Sequence, residues 1–494
     1  MAGKDAKPGR DSSLERKQQA GITIKKADNF SDWYNEVVLK SGLVDYASTK
    51  GFMFIKPHGY AIWEWIQKIL DAKLKEKGHE NAYAPAVIPE SLLAKEAEHV
   101  KGFAPECFYI TRSGSNELNE KLVLRPTSET IIYESYAKWI RSYRDLPVLM
   151  NFWNSVFRAE IKMTKLFIRT CEFLWQEGHT VHATEQDADR EVLDILDTYQ
   201  DLAENYLAIK VLKGKKSEGE KFAGALYTTA IESLMPDGKA LQMGTSHNLG
   251  QHFSKTFGIK FIDKDEKEKL AWQTSWGVST RLIGAIVMVH GDDKGLVLPP
   301  QVAPIQIAIV PIIFEQGKQA VTEKAQEIYR RLKGKFRTKL DDRIEYTAGW
   351  KFNEWEMKGV PLRIEVGPKD VEKKQVVVVS RVDGKKDFVP EKDVETFVEA
   401  KLATVQKQML EKSEQLLKDS GRPAKGFKEL KKLVEARSMA HAGWCGDGKC
   451  EEAIKQETTA SIRVIPFGKD GEGQGKCVYC GKAAKHMAYF AKAY

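Results

Sequence analysis

The stretch that most constrains the fold of this chain is FRAEIKMTKLFIRTCEFLWQEGH, residues 157–179. Apolar and charged side chains alternate at its start. They are Phe157, Ala159 and Ile161 on one side, and Arg158, Glu160 and Lys162 on the other. A period of two predicts a strand with one buried face. A short polar turn at residues 163–165, followed by IRTCEFLWQEGH, predicts an antiparallel hairpin.

The charged face of this hairpin has two interpretations. Residues 158–160 alone are typical of a solvated edge strand. The return segment favours a binding site instead, because it adds charged and aromatic side chains beside Arg158 and Glu160. These are Arg169, Glu172, Trp175 and Glu177. Guanidinium groups match phosphate oxygens, and aromatic faces suit nucleobases or apolar rings.

The length of 494 residues exceeds what one hydrophobic core supports, so several domains are expected. The formal net charge of +8 is compatible with a nucleic-acid partner but does not require one. The sequence has no apolar run of about 18 residues, so no membrane span is expected. Residues 1–28 are predicted to be a disordered polar tail without the apolar core of a signal peptide, which favours a cytoplasmic protein.

Three folded regions of mixed α/β (α+β) type are predicted after this tail. Residues 29–298 mix helices and strands, including one long helix over residues 187–210. Residues 299–400 alternate strands with helices, which predicts a small α/β domain with a partly parallel sheet. Residues 401–494 begin with charged helical sequence and end in a cysteine cluster.

Two further segments combine a helix start with side chains that suit a binding site. RPTSET, residues 125–130, ends a strand and begins a helix, so Thr127 and Ser128 are either N-cap residues or site residues. In WQTSWGVSTRLIGAIVMVHGDDKGLVLPP, residues 272–300, Arg281 lies near the start of an apolar helix. The helix dipole disfavours a cation there, and a bound anion would explain it.

The cysteine pattern near the C-terminus predicts a metal site. Cys445 and Cys450 form one close pair, and Cys477 and Cys480 form a second. Two such pairs suit tetrahedral Zn²⁺ with four thiolates, and the absence of a spare ligand position would make the zinc structural. Free thiols are the alternative.

These motifs resemble those of class II aminoacyl-tRNA synthetases. FRAE with RTCEFLWQEGH resembles motif 2, STRLIGAIVMVHGDDKGLVLPP resembles motif 3, and KEKGHENAYAPAVIP is similar to motif 1. The set RPTSET, FLWQEGH, LQMGTSHNLG and HGDDKGLVLPP resembles the prolyl-tRNA synthetase family, of the type found in archaea and the eukaryotic cytoplasm. GWKFNEWEMKGVPLRIEVGPKD resembles the anticodon-binding domain of that family, and the cysteine cluster resembles its last domain.

The resemblance implies a fold and an activity. An antiparallel-sheet catalytic core over residues 29–298 would be followed by an α/β anticodon-binding domain over 299–400 and a zinc-binding α/β domain over 401–494. The chain would form a homodimer through motif 1. It would activate L-proline with ATP and Mg²⁺ to give prolyl-adenylate and pyrophosphate, and then transfer the prolyl group to the terminal ribose of tRNA(Pro).

The resemblance also implies roles for individual residues. Arg158 and Arg281 would be the catalytic cations. The proline-binding residues would be Thr127, Glu129, Arg158, Phe173, Trp175 and His247. The ATP-binding residues would be Arg158, Glu160, Arg169, Gln242, Thr245, Ser279 and Arg281. Taken alone, His247 is also typical of a structural histidine, and Tyr494 at the C-terminus either reaches back to the active site or frays.

Several alternatives stay open at this point. About sixty residues separate Gly178 from Leu241, which predicts that no editing domain is inserted between motifs 2 and 3. Cys171 stands where a basic residue is expected in the family. The rival functions are a class II synthetase for threonine, glycine or histidine, and a catalytically idle paralogue that only binds RNA or a protein.

Overall fold

The structure, a computed structural model, describes residues 21–99, 106–159, 161, 163–314 and 317–494. Its helices are α1 (Phe30–Lys40), α2 (Pro57–Glu76), α3 (Glu90–His99), α4 (Glu129–Trp139), α5 (Glu185–Asp201), α6 (His252–Phe257), α7 (Arg281–His290), α8 (Lys318–Leu332), α9 (Ala348–Met357), α10 (Pro368–Glu372), α11 (Val394–Ser420), α12 (Phe427–Glu435) and α13 (Gly448–Thr458).

The strands in the first part of the described chain are β1 (Val44–Tyr46), β2 (Met53–Ile55), β3 (Glu80–Ala82), β4 (Val87–Pro89), β5 (Tyr109–Ser113), β6 (Asn116–Leu124), β7 (Val148–Phe157), β8 (Glu172–His182), β9 (Leu212–Lys215), β10 (Tyr227–Leu234), β11 (Lys239–Gly250), β12 (Lys260–Ile262), β13 (Glu268–Leu270) and β14 (Trp272–Ser279). Those that follow are β15 (Ile307–Pro311), β16 (Thr338–Leu340), β17 (Leu362–Val366), β18 (Gln375–Ser380), β19 (Lys386–Pro390), β20 (Gly421–Pro423), β21 (Met439–Trp444), β22 (Ser461–Pro466) and β23 (His486–Ala493).

The described residues form two compact units. One contains residues 21–42, 291–298 and 305–401, and the other contains residues 43–290, 299–304 and 402–494. Residues 1–20 of the predicted polar tail lie outside the described residues. Within the described ranges, no helix combines the length and the apolar character that crossing a membrane requires.

The larger unit is built on one long sheet. Its strand order is β20-β21-β23-β22-β9-β10-β11-β14-β8-β7-β3. From β9 to β7 every neighbouring pair is antiparallel, which confirms the predicted class II core. The C-terminal strands join the same sheet, because β22 pairs with β9 and β23 pairs with β11.

Helices cover this sheet with apolar stripes at helical spacing. The spacing of Ile62, Ile66, Ile69 and Leu70 predicts an amphipathic helix over residues 59–78. Helix α2 confirms it by burying Ile62, Ile66 and Leu70, while Ile69 is half-buried. The predicted helix over residues 187–210 is too long. Regular helix ends at Asp201, a π-helical turn follows to Tyr206, and Ala208 has a φ of 55°, which a right-handed helix does not accommodate.

The hairpin that opens the sequence analysis exists, but its turn was predicted wrongly. Strand β7 ends at Phe157 and β8 begins at Glu172, and these two residues pair with each other. Residues 158, 159 and 161, which the alternation placed in the strand, are not in a strand, and the described residues 163–171 form a longer connection than the predicted turn at 163–165. The reason is burial, because the loop residues 166–168 pack into the protein instead of extending the strand.

The smaller unit contains a five-stranded sheet of order β16-β15-β17-β18-β19. Strand β15 is parallel to β16 and β17, whereas β17, β18 and β19 are antiparallel to one another. Its centre consists of fully buried aliphatic side chains such as Ile309, Ile364 and Val378. The partly parallel sheet predicted for this region is confirmed.

Candidate active site

A cavity of about 260 Å³ lies over the centre of the long sheet, at strands β8, β11 and β14. It brings together most of the residues that the sequence assigned to substrates. The predicted residues that line it are Thr127, Glu129, Arg158, Phe173, Trp175, Gln242, Thr245, His247, Ser279 and Arg281. A second cavity of about 190 Å³ shares four of these residues, Arg158, Phe173, Ser279 and Arg281, and adds Arg169. Glu160, predicted to bind ATP, lies outside the described residues.

The register of the strands explains why residues far apart in sequence meet here. Ser275 on β14 lies opposite His179 on β8 and His247 on β11. Ser279, four residues further along β14, lies opposite Trp175. Directly opposed side chains lie on the same face of a sheet, so these positions form the floor of the cavity.

A β-bulge adjusts strand β11 at the same place. Gly244 pairs with Ile231 and Gln242 pairs with Glu232, which leaves Met243 as the extra residue. A bulge re-aims the side chains around it, and here Gln242 and Thr245 both reach the cavity.

The turn before α4 supplies the hydroxyl and carboxylate side of the cavity. Ser128 occupies the N-cap position, but its side chain makes no capping hydrogen bond. Its hydroxyl donates to Glu177, and the hydroxyl of Thr127 donates to Glu129. The alternative that these two hydroxyls serve to cap the helix is therefore wrong.

Glu177 connects two walls of the cavity, although the sequence analysis gave it no specific role. Besides Ser128, it accepts hydrogen bonds from Asn154 at 2.8 Å and His179 at 3.0 Å. Asn154 in turn accepts from the indole of Trp175 at 2.6 Å. Burial opposes ionisation of Glu177, but its bonds, led by that of His179, keep the pKa of Glu177 below its ordinary value. Period-two alternation from Phe173 to His179 was the signal that could have identified it.

Two guanidinium groups meet at the boundary of the two cavities. Arg158 places its guanidinium 5.3 Å from the ring centroid of Phe173 and donates to the carbonyl of Pro126 at 3.4 Å. Arg281 donates to the carbonyls of Ile168 and Gln242, both at 3.3 Å.

The environment of Arg281 disfavours its positive charge. Burial, and then the nearby positive charge of Arg158, lower the pKa of Arg281 to about 10. The side chain remains protonated at neutral pH. An anion bound in this cavity would compensate a charge that the carbonyl dipoles balance only in part.

His247 faces the cavity as a neutral imidazole. Burial, and then the positive charge of His179, lower the pKa of His247 to about 3. Its Nδ1 is 2.9 Å from the hydroxyl of Thr228, and the ring of Phe222 lies against it with centroids 4.9 Å apart. Sequence reasoning did not identify Thr228 or Phe222, since neither stands in a motif that it recognised.

The remaining sequence candidates lie outside both cavities. Cys171 is buried beside Gly51 and contacts the carbonyl of Ile161 with its thiol at 3.7 Å. The C-terminal Tyr494 donates its hydroxyl to Asp237 at 2.6 Å. Neither residue is among the described residues that line the cavities.

The four cysteines of the C-terminal cluster converge as the spacing predicted. Their sulfur atoms all lie within 4.8 Å of one another, and none of them forms a disulfide. The sulfur of Cys445 is 3.7 Å from those of Cys450 and Cys480. Four thiolates at a Zn–S distance of about 2.3 Å around a tetrahedral ion would be roughly 3.8 Å apart. The cluster therefore has the donor set and the spacing to bind a metal ion.

Family models match three parts of the chain. Residues 109–290 match the "tRNA synthetase class II core domain (G, H, P, S and T)", and residues 306–401 match the "Anticodon binding domain". Residues 427–494 match "Prolyl-tRNA synthetase, C-terminal".

Similar proteins extend these matches to nearly the whole chain. A proline–tRNA ligase of Natranaerobius thermophilus is 54% identical, over 95% of this chain and 97% of its own length. A proline–tRNA ligase of Cenarchaeum symbiosum is 52% identical, over 96% of this chain and 100% of its own. The prolyl-tRNA synthetase of Cryptosporidium parvum, solved in complex with halofuginone and AMPPNP, is similar with a TM-score of 0.92 and 44% identity, over 96% of this chain and 100% of that one.

Proposed function

This chain belongs to the prolyl-tRNA synthetase family of class II aminoacyl-tRNA synthetases, and we propose that the cavity over β8, β11 and β14 is where it joins L-proline to ATP. The enzyme is an aminoacyl-tRNA ligase that acts in two steps. It forms prolyl-adenylate with release of pyrophosphate, and it then transfers the prolyl group to the terminal ribose of tRNA(Pro).

One observation carries the assignment of the site. Both adjoining cavities are lined by Arg158 and Arg281. The first adds aromatic and carboxylate side chains such as Trp175 and Glu129, and the second adds Arg169. An imino acid and a nucleoside triphosphate require these two environments side by side.

The residues assigned to proline match the chemical groups of that substrate. Phe173 and Trp175, with ring planes at 88° to each other, would enclose the pyrrolidine ring. Glu129, which holds a hydrogen bond from Thr127, would neutralise the cationic amine. His247, being neutral, adds no positive charge near that amine, so it contributes to shape and hydrogen bonding rather than to charge.

Adenylate formation needs alignment and positive charge more than proton transfer. The proline carboxylate is already ionised at neutral pH, so it attacks the α-phosphorus without a general base. The barrier then comes from bringing two anions together in line. Arg158 would bind both the carboxylate and the α-phosphate, and Arg281 would bind the γ-phosphate of a bent ATP. Arg169 and Ser279 would help to hold the nucleotide, and Glu160 would lie near it.

Metal ions have separate places in this proposal. Mg²⁺ would be supplied with ATP, and Gln242 and Thr245 would offer it side-chain oxygen ligands. The four-cysteine cluster would hold Zn²⁺, which would stabilise the fold of the C-terminal region without taking part in the reaction.

The wider setting is also part of the proposal. The domains are assigned to residues 29–298 for catalysis, 299–400 for the anticodon and 401–494 for zinc. The enzyme would act as a homodimer in the cytoplasm. Residues between Gly178 and Leu241 are taken up by α5, β9, β10 and their connections, so an editing domain is not part of the proposed enzyme.

Proline-dependent exchange of pyrophosphate into ATP tests the proposed function. We expect exchange with proline and none with threonine, glycine or histidine, together with a large loss in the Arg158→Ala variant. Exchange that depends on one of the other amino acids, and not on proline, would show that the enzyme is specific for that amino acid. If the wild type charges tRNA(Pro) and the Arg158→Ala variant keeps full pyrophosphate exchange, the reaction does not take place in this cavity.

A further inference from the structure

Residues 216–222, KSEGEKF, stood in none of the recognised motifs, and the end of this wall segment forms one wall of the cavity. Glu220, Lys221 and Phe222 line the cavity on this side. The backbone N–H of Phe222 donates to the hydroxyl of Thr228 at 2.9 Å, and that hydroxyl lies 2.9 Å from Nδ1 of His247. The conformation of this wall segment therefore affects the space available above His247.

The wall segment is tied to the C-terminal region by buried charges. Arg463 on β22 donates to Glu232 on β10 at 2.8 Å and to Glu220 of the wall segment at 3.4 Å. Lys216, at the start of the segment, donates to Glu232 and to the carbonyl of Arg463, the latter at 2.9 Å. The side chain of Glu232 is 0% exposed and that of Arg463 is 8% exposed, so water hardly screens this pair. The side chain of Glu220 is 21% exposed, so its contact with Arg463 is screened more.

A second set of contacts comes from helix α13. Ser217 donates its hydroxyl to Glu451. Gly219 passes so close that an added Cβ would lie 3.3 Å from the carboxylate of that glutamate. Lys455, one turn further along α13, reaches Glu220 at 3.4 Å.

Strand pairing continues this attachment to the residues just before the wall segment. Gly214 and Lys215 on β9 pair with Pro466 and Ile465 on β22. The wall segment thus follows directly on a strand that pairs with the C-terminal region, residues 421–494. Arg463 and Lys455, the two cations that contact Glu220, belong to the same region.

We propose that the C-terminal region is a positioning element for the amino-acid pocket, in which Arg463 holds residues 216–222 against the cavity through Glu220 and Glu232. This inference rests on the proposed function, because it takes the cavity as the proline site. Arg463 is not among the residues that line the cavity, so it is a positioning residue and not a catalytic one. A displaced wall segment should weaken proline binding more than ATP binding. The arginines proposed to bind ATP, Arg158, Arg169 and Arg281, lie outside this segment.

The test compares two arginine-to-lysine variants of the full-length enzyme. In Arg463→Lys the charge remains, but a single ammonium group lacks the fork that spans Glu232 and Glu220. The KM for proline in pyrophosphate exchange should rise about 10-fold or more, since small displacements of positioning groups have effects of this size. The KM for ATP should change less than about 2-fold. The matched control is Arg422→Lys, an exposed arginine of the same region that donates to the carbonyl of Asp419, and it should leave both constants unchanged.

A second readout does not depend on activity. Trypsin should cleave after Lys221 faster in Arg463→Lys than in the wild type, and added proline should restore protection. Ser217→Ala, which removes the bond to Glu451 but keeps every charge, should shift both readouts in the same direction by a smaller amount.

The outcomes separate this inference from the proposed function. A wild type without proline-dependent exchange would refute the proposed function, whereas the cleavage comparison would still report on the attachment. An active wild type with unchanged proline KM and unchanged cleavage in Arg463→Lys would overturn the inference. Equal changes in the KM values for proline and ATP, with a lowered melting temperature, would also overturn it, because they would indicate general destabilisation.

Discussion

Replacing Arg281 by methionine should stabilise the free enzyme while nearly abolishing adenylate formation. Arg281 begins α7 at the boundary of the two cavities, and its guanidinium donates to two main-chain carbonyls. Burial and the charge of Arg158 lower the pKa of Arg281 to about 10, so the folded state holds this proton less tightly than the unfolded chain does. At neutral pH the group is charged in both states, and folding therefore carries a cost.

The size of this cost follows from the pKa. A displacement from 12.5 to about 10 corresponds to roughly 3 kcal/mol, since one pKa unit is about 1.4 kcal/mol. Water in the cavity screens part of it, and the two carbonyls lose their donor in the variant. We therefore expect a net gain in the free energy of unfolding of about 1–2 kcal/mol, or a melting temperature higher by roughly 2–4 °C.

Activity should move in the opposite direction. Loss of a preorganised cation at the phosphates should lower proline-dependent pyrophosphate exchange by about 10²–10³-fold. ATP should raise the melting temperature of the wild type much more than that of the variant. Arg169→Met is the matched control, because Arg169 also lines the second cavity but is exposed, so its loss should weaken exchange without stabilising the free enzyme.

The refuting result is specific. If Arg281→Met melts at a lower temperature than the wild type and keeps wild-type exchange, the guanidinium stabilises the fold and does not bind the phosphates of ATP.

Further predictions concern the other charged groups and the cysteine cluster. Arg158→Ala should lower exchange by about 10²–10³-fold, whereas an unchanged rate would exclude Arg158 from the reaction. Glu177→Gln should lower the free energy of unfolding in urea by about 2–4 kcal/mol, because it leaves a buried histidine without its anion. The pKa of Glu177 is lowered and that of His179 is raised. The pair therefore stops stabilising the fold when pH falls through the pKa of Glu177 or rises through the pKa of His179. In Glu177→Gln the free energy of unfolding should therefore depend less on pH in both of these pH ranges. A pH dependence equal to that of the wild type would contradict the pairing of Glu177 with His179. Metal analysis of purified enzyme should give about one zinc per chain, reduced in Cys445→Ser and retained in Cys107→Ser, and equal metal content in both variants would refute the four-cysteine site.

Local sequence was enough to predict the face that α2 buries and most of the residues that meet at the first cavity. The stripe of Ile62, Ile66 and Leu70 depends only on helical periodicity, and α2 buries it as expected. Ten of the candidates, among them Thr127 and Arg158, line the first cavity, whereas Arg169 lines only the second. Each motif is a short run whose register on its strand or helix is fixed locally.

Local sequence failed where distant contacts decide the conformation. The alternation after Phe157 predicted a longer strand, but β7 ends at Phe157 and residues 166–168 are buried in the connection to β8. Helix propensity favoured hydroxyl caps at Thr127 and Ser128, but the buried carboxylates of Glu129 and Glu177 offer stronger acceptors.

The sequence by itself determined the family, the set of cations and carboxylates available for proline and ATP, and the four thiols that could bind a metal ion. Tertiary structure alone decided which of these groups share a cavity, how Glu177 links its walls, and how Arg463 reaches Lys216 from 247 positions away in the chain. The physical reason is that periodicity and propensity describe neighbours along the chain. The energy of a buried charge depends instead on the groups that distant strands bring around it.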